Sequence, residues 1–221
     1  MIVINTPHNP TGAVFDPLAL KEIVDMAHER VVTVLADEHY CFLPLDGDYI
    51  LPFLRNLDDR VVATGSIIKC FGTMGLRVGW VIGEPDLLVK VRDWRNYLSH
   101  TLSEVSSLLA TLILERQGPL LERSRRVVET NLSHLKEWMP RQMGLMDWIE
   151  PKGGVVSFPR FDLDMTSDEL CQRLIREADV FCLPASSFEM EGHVRLGFGM
   201  ENNVFIPALE RLGDWLSSFR S

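Results

Sequence analysis

The chain has 221 residues, 46% of them hydrophobic, enough to bury a real core as one large domain or one and a half ordinary ones. A formal net charge of -9 argues against nucleic acid or an anionic membrane as partner, because phosphate groups are held by clustered Lys and Arg. Four scattered cysteines, with no C-x-x-C pair and no His at ligand spacing, indicate neither a disulfide frame nor a metal site and fit a reducing cytoplasm.

Ile2-Val3-Ile4 reads as a strand that feeds the polar turn "NTPHNPTG" at residues 5–12. Leu18, Leu20, Ile23, Val24 and Ala27 then recur at helical spacing, which predicts a helix from Pro17 to Arg30. "VVTVLA", residues 31–36, predicts a second strand, and further strands are expected at Val61–Thr64 and Gly79–Ile82. Continuous apolar strands separated by helices or loops imply a largely parallel sheet buried on both faces.

From Pro85 to Trp138 the pattern is helical, with breaks expected near Ser99 and at Gly118-Pro119. The basic cluster at residues 122–126 reads as the solvated face of that helix. After Pro151-Lys152-Gly153-Gly154 the texture changes to "VVSFPRF", a helix over Ser167–Ala178, "VFCLP", "HVRLGFG" and a closing helix over Asn203–Phe219. This predicts three parts: a large α/β domain over 1–100, connecting helices over 101–145, and a small α+β domain over 146–221. No basic leader, membrane-length apolar run, internal repeat or low-complexity segment is found.

Several residues stand where chemistry is carried out in α/β proteins. Asp37 follows "VVTVLA" at the carboxyl end of a predicted strand, where open sheets put their ligand groups, and Tyr40 lies three residues on. Lys69 sits among Ile67, Ile68, Cys70 and Phe71, where water should be scarce, so its amine could be neutral and nucleophilic. The alternative is a stem packed along apolar surface with its head in water. Ser66 and Arg77 flank it; a hydroxyl and a rigid guanidinium fork suit a phosphate, although a glycine-rich connection with an exposed Arg accounts for the same residues. Arg195 interrupts an apolar strand pattern, so it lies either at a sheet edge or is reserved for an anion. "GTMGLRVG" does not have the form of a nucleotide-phosphate loop, lacking both the G-K-[ST] ending and the G-x-G-x-x-G spacing.

Taken together, in order and spacing, these residues resemble the class I/II aminotransferases, pyridoxal-phosphate enzymes of fold type I. The resemblance implies that Lys69 is the Schiff-base lysine, that Asp37 pairs with the pyridine nitrogen, and that Asn9 of "HNPTG" and Tyr40 reach the cofactor's phenolic oxygen. It implies Ser66 and Arg77 as phosphate ligands, in S-x-x-K-x(7)-R, and Arg195 as the arginine that holds the substrate's α-carboxylate. Pro151-x-Gly153-Gly154 resembles the family's passage into its small domain. The implied fold is the second half of the large-domain, mainly parallel sheet plus a C-terminal small α+β domain. The implied reaction moves an amino group between an α-amino acid and a 2-oxo acid, in a homodimer.

The same resemblance predicts that roughly the first 40% of the family's domain precedes "NTPHNPTG", including a glycine- and serine-rich phosphate turn and an aromatic that stacks on the cofactor ring. The expectation is therefore a truncated product, one part of a split enzyme or a partial chain, with apolar edges and faces that call for a missing segment or second chain. Elimination, replacement or cyclisation would use the same site residues. A non-catalytic remnant is the reading from a different class.

Overall fold

A computed structural model describes residues 1–45 and 53–220. The chain forms two compact units. The first contains residues 1–8, 13–124 and 152–154; the second contains 9–12, 125–151 and 155–220.

Four strands make the sheet of the first unit: β1 (Ile2–Asn5), β2 (Val34–Asp37), β3 (Val62–Ser66) and β4 (Gly79–Ile82), in that order. β1, β2 and β3 run parallel, and β4 returns antiparallel to β3. The register sets Asn5 beside Asp37 and Asp37 beside Thr64, so the polar strand ends share one edge of the sheet.

Helix α1 (Pro17–Glu29) starts where local chemistry dictates. The Asp16 carboxylate accepts from the amides of Leu18 at 2.8 Å and Ala19 at 3.3 Å, and Pro17 takes the first helical position, where its missing N–H costs nothing. Its apolar stripe of Leu20, Val24 and Ala27 is buried in one core with Ile4, Val34, Ala36, Leu54, Val61 and Ala63. Burial of each larger aliphatic there contributes about 1.5–3 kcal/mol.

The predicted strand at 31–36 begins only at Val34. Val31 takes a left-handed conformation (φ 55°), its amide bonding His28 O at 3.0 Å while the Val32 amide bonds Ala27 O at 2.8 Å. This is a Schellman ending: the helix's orphan carbonyls claim two residues whose β-branched side chains had read as strand.

α2 (Pro85–Leu98), α3 (Glu104–Glu115) and α4 (Gln117–Trp138) follow. The expected break at Ser99 is present, but the second falls at Arg116, the C-cap of α3. Gly118 and Pro119 lie in the first turn of α4 instead, where proline is tolerated. The sheet is not covered on both faces: Val3 is 59% exposed and Ile82 46%. α2 buries no residue and α3 only Ala110. Among the described residues these apolar faces meet no covering element that would remove them from water.

The second unit pairs β5 (Met146–Asp147) with β7 (Arg160–Phe161), and forms a second sheet in the order β6 (Val156–Ser157), β9 (Val194–Gly197), β8 (Leu183–Pro184), all antiparallel. The helix predicted at Ser167–Ala178 is α5 (Ser167–Arg173) continued as a π-turn over Leu174–Ala178, and α6 (Asn202–Ser217) closes the unit. Asn131 of α4, fully buried, donates to Phe198 O at 2.9 Å and Met200 O at 2.8 Å and accepts from Asn202 Nδ2 at 2.8 Å. One amide thereby fixes α4, the end of β9 and the start of α6 to one another.

Candidate active site

At the carboxyl ends of the parallel strands the polypeptide leaves the sheet through turns, and side chains there need not pack in the core. Asp37 is the last residue of β2, with a side chain 42% exposed; its backbone carbonyl accepts from Asn5 Nδ2 at 3.1 Å. The next residues turn back under the strand. Glu38 is buried, and its carboxylate accepts from the Leu54 amide at 2.7 Å. Burial pushes the Glu38 carboxyl above the usual carboxylate range; the Leu54 amide opposes that shift and neighbouring Asp37 adds to it. Tyr40 is buried at 6% exposure with its ring against Gly154, where a Cβ would stand 3.3 Å from the ring.

Ser66 closes β3 and is buried at 2% exposure. Its hydroxyl lies 2.7 Å from His39 Nδ1 and accepts from the Ile68 amide at 3.3 Å. The turn that follows carries Lys69. The structure corrects the expectation that this lysine is short of water: Ile67, Cys70 and Phe71 are buried at 0–2% exposure, whereas Lys69 is exposed. In a turn, neighbours need not share a side, so the apolar residues drop into the core and the amine is left outside. Among the described residues Lys69 makes no ion pair.

The chain returns through a 3-10 turn at Met74–Leu76 to Arg77, which is exposed and left-handed (φ 54°). β3 and β4 pair Ser66 with Gly79, and the Ile67 amide bonds Val78 O at 3.3 Å. Ser66 and Arg77 therefore flank one backbone hydrogen bond, Ser66 at the end of β3 and Arg77 in the turn that leads into β4.

Asn9 and Arg195 belong to the second unit. Arg195, on β9, donates from Nη1 to Asn9 Oδ1 at 2.9 Å, and its guanidinium lies 5.5 Å from the centroid of the Phe188 ring. The first bond spends the Asn9 carbonyl oxygen and so orients its amide nitrogen the other way; the ring contact holds the guanidinium plane. Arg195 is half-buried, and its charge is partnered by a neutral dipole.

The structure thus gathers Asp37, Ser66 and the backbone of Arg77 at one end of the first unit's sheet, with Lys69 on the adjoining turn, and joins Asn9 to Arg195 in the second unit. Sequence reasoning assigned no role to His39, which bridges Ser66 and Asp37. Its only signal was a polar ring between two residues already singled out, in "DEHY". No group of three or more His, Cys, Asp or Glu among the described residues could hold a metal ion, and none of their helices is long and apolar enough to cross a membrane.

The family model described as "Aminotransferase class I and II" matches residues 1–212. Capreomycidine synthase of Streptomyces vinaceus is 31% identical over 211 residues, covering 96% of this chain and 53% of that protein. The crystal structure of a PLP-dependent aminotransferase from Streptococcus suis 89-1591 superposes with a TM-score of 0.92 at 33% identity, over 99% of this chain and 57% of that one. A structure of the PLP-dependent cyclase OrfR gives a TM-score of 0.91 at 26% identity, over 99% of this chain and 59% of that one. The chain spans about half the length of the curated relatives it matches. The family model over residues 1–212, the relative at 31% identity and the superposable solved structure agree: this chain belongs to the class I and II aminotransferase family.

Proposed function

We propose that the protein is a pyridoxal-phosphate-dependent aminotransferase, moving an amino group between an α-amino acid and a 2-oxo acid. One observation carries the reading: a carboxylate (Asp37), a buried hydroxyl (Ser66) and an exposed amine without an ion pair among the described residues (Lys69) stand at the carboxyl end of one parallel sheet. These groups fit the cofactor chemically. An acid suits a ring nitrogen, a hydroxyl and the Arg77 guanidinium suit a phosphate, and an accessible amine suits an aldehyde.

When bound, pyridoxal phosphate supplies a sink for the electrons left when a bond at Cα breaks. Asp37 would keep the ring nitrogen protonated by accepting its N–H. Asn9 and Tyr40 would donate to the phenolic oxygen, and Ser66 and Arg77 to the phosphate. Lys69 would take the proton from Cα and return it at C4′. Arg195, oriented by Asn9 and Phe188, would hold the α-carboxylate and so fix which Cα bond stands ready to break.

A homodimer, or a second chain that covers these surfaces, is supported by the exposed apolar faces of α2 and α3. A cytoplasmic setting suits four cysteines that are all buried and form no disulfide. A second reading, ring closure on an amino acid, is favoured by the likeness to capreomycidine synthase and to the OrfR cyclase. The family's shared site residues serve both reactions.

The test is a pyridoxal-phosphate titration followed by visible absorbance, with Lys69→Ala in parallel, and then a panel of amino acids with and without 2-oxo acids. A long-wavelength band lost in the variant, with new amino acid formed from oxo acid, supports the aminotransferase. Cyclised product without oxo-acid consumption favours the second reading. An identical band in the variant overturns the role of Lys69.

A further inference from the structure

His39 reaches across the end of the sheet. Its Nδ1 is 2.7 Å from Ser66 Oγ, its Nε2 is 3.8 Å from Asp37 Oδ1, and its own amide donates to the same carboxylate oxygen at 3.4 Å. Its side chain is 35% exposed, while Ser66 is buried. Among the described residues, the titratable groups that face it are the Asp37 carboxylate, from the end of β2, and the Cys70 thiol, which donates to the His39 carbonyl at 3.2 Å from the turn after β3. Glu38, next in sequence, is turned away and bonded to Leu54; Lys69, on the Cys70 turn, is exposed to solvent.

The hydrogen-bond inventory limits what this triad can do. A serine hydroxyl has one proton to give and two lone pairs, and a neutral imidazole has one N–H and one acceptor nitrogen. With the Asp37 carboxylate near Nε2, the favoured neutral tautomer keeps the proton on Nε2, because the other would set a nitrogen lone pair against an anion. Nδ1 is then an acceptor, and the single Ser66 proton is committed to it. When His39 is protonated the polarity of that bond reverses. Nδ1–H donates to Ser66 Oγ, the Ile68 amide occupies its second lone pair, and the hydroxyl proton is released to point at a third group.

We propose that His39 is a positioning residue of an oxyanion site built on Ser66: neutral, it holds the Ser66 hydroxyl proton; protonated, it frees that proton for a bound anion, so anion binding draws a proton from solvent onto His39. The inference rests on the reading of Ser66 as a phosphate ligand and adds what controls it. The class of ligand is a tetrahedral oxyanion or phosphate monoester. His39 contributes both the direction of the Ser66 dipole and a nearby positive charge, without touching the anion.

Sulfate is the probe, because its charge is constant across the range in which histidines titrate, whereas that of phosphate is not. Binding to the full chain is followed by amide NMR shifts between about pH 6 and pH 8.5, with the imidazole nitrogens of His39 recorded free and bound. One proton taken up per anion makes the dissociation constant rise about tenfold per pH unit once His39 is neutral. The expected result is Nδ1 as an unprotonated acceptor in the free chain at high pH, both nitrogens protonated when sulfate is bound, and at least about a tenfold weakening across the range.

His39→Phe and His39→Asn, the second keeping a polar group with no proton to take up, should both flatten the pH dependence. At high pH the phenylalanine variant should bind sulfate as well as the parent or better, since the competition for the Ser66 proton is gone. A slope unchanged in both variants, or a free chain with its proton on Nδ1, overturns the inference while leaving Ser66 as an anion ligand. Sulfate shifts that are absent, or unaltered by Ser66→Ala, overturn the inference together with the phosphate role of Ser66.

Discussion

Arg195 and Asn9, 186 positions apart in sequence, are joined by a 2.9 Å hydrogen bond from guanidinium to side-chain carbonyl. The bond ties the "NPTG" turn to β9, which explains why these four residues cluster with the second unit while the strand before them belongs to the first. Hydrogen bonds to charged groups contribute about 1.5–3 kcal/mol when well shielded, and partial exposure lowers that. A double-mutant cycle of Asn9→Ala and Arg195→Ala in urea denaturation should return a coupling of about 1 kcal/mol. Simple additivity would mean that the bond adds nothing to stability.

Gly12 ends that turn with φ of +69°, and a Cβ placed on it would stand 2.3 Å from Pro151 Cβ and 2.9 Å from Val156 O. Two penalties then coincide: a left-handed backbone that L side chains disfavour and a collision with a proline and a backbone carbonyl. Gly12→Ala should cost about 2–4 kcal/mol, read as a lowered urea midpoint at an unchanged slope. A loss below about 0.5 kcal/mol would show that the turn relaxes freely.

Much of this was legible in sequence because it depends on neighbours along the chain. The helical spacing of Leu20, Val24 and Ala27 announces α1, short continuous apolar runs announce β1 and β4, and the order and spacing from Asn9 to Arg195 announce the family. What was not legible depends on direction and on distant partners. The apolar company of Lys69 does not say which way a turn sends each side chain. A β-branched run does not reveal that Val31 and Val32 are taken by the end of a helix. Covering of the sheet's second face depends on elements that nothing in strands 2–4 or 79–82 encodes, and the pairing of His39 with Ser66 spans 27 residues.

Val31 follows from the same contrast. It is 95% exposed, so its side chain contributes little packing, yet it occupies the left-handed position of a Schellman ending. Val31→Gly relieves about 1–2 kcal/mol of backbone strain and returns up to about 1 kcal/mol through the looser unfolded chain. The expected outcome is a net gain of about 0.5–1 kcal/mol in denaturant unfolding, with the helix ladder unchanged by amide exchange. A destabilised variant would mean that the Val31 side chain packs more than its exposure indicates.

Glu38 sets a pH dependence whose sign is fixed by its burial. Its carboxyl is raised, so the native state holds the proton more tightly than the unfolded chain does. The stability this contributes is fully present below the ordinary carboxylate range and is lost as pH rises through the raised value, above which the fold carries a buried anion that accepts from the Leu54 amide at 2.7 Å. Glu38→Gln keeps an acceptor for that amide and removes the charge, so it should unfold at an equal or higher urea concentration at pH 7, with the advantage shrinking toward pH 4. Glu38→Ala abandons the Leu54 N–H in a buried site and should cost about 1–3 kcal/mol. Paired urea titrations of the three proteins at the two pH values decide the matter: a glutamine variant weaker than the parent at neutral pH would mean that the charge itself strengthens the Leu54 bond by more than its burial costs.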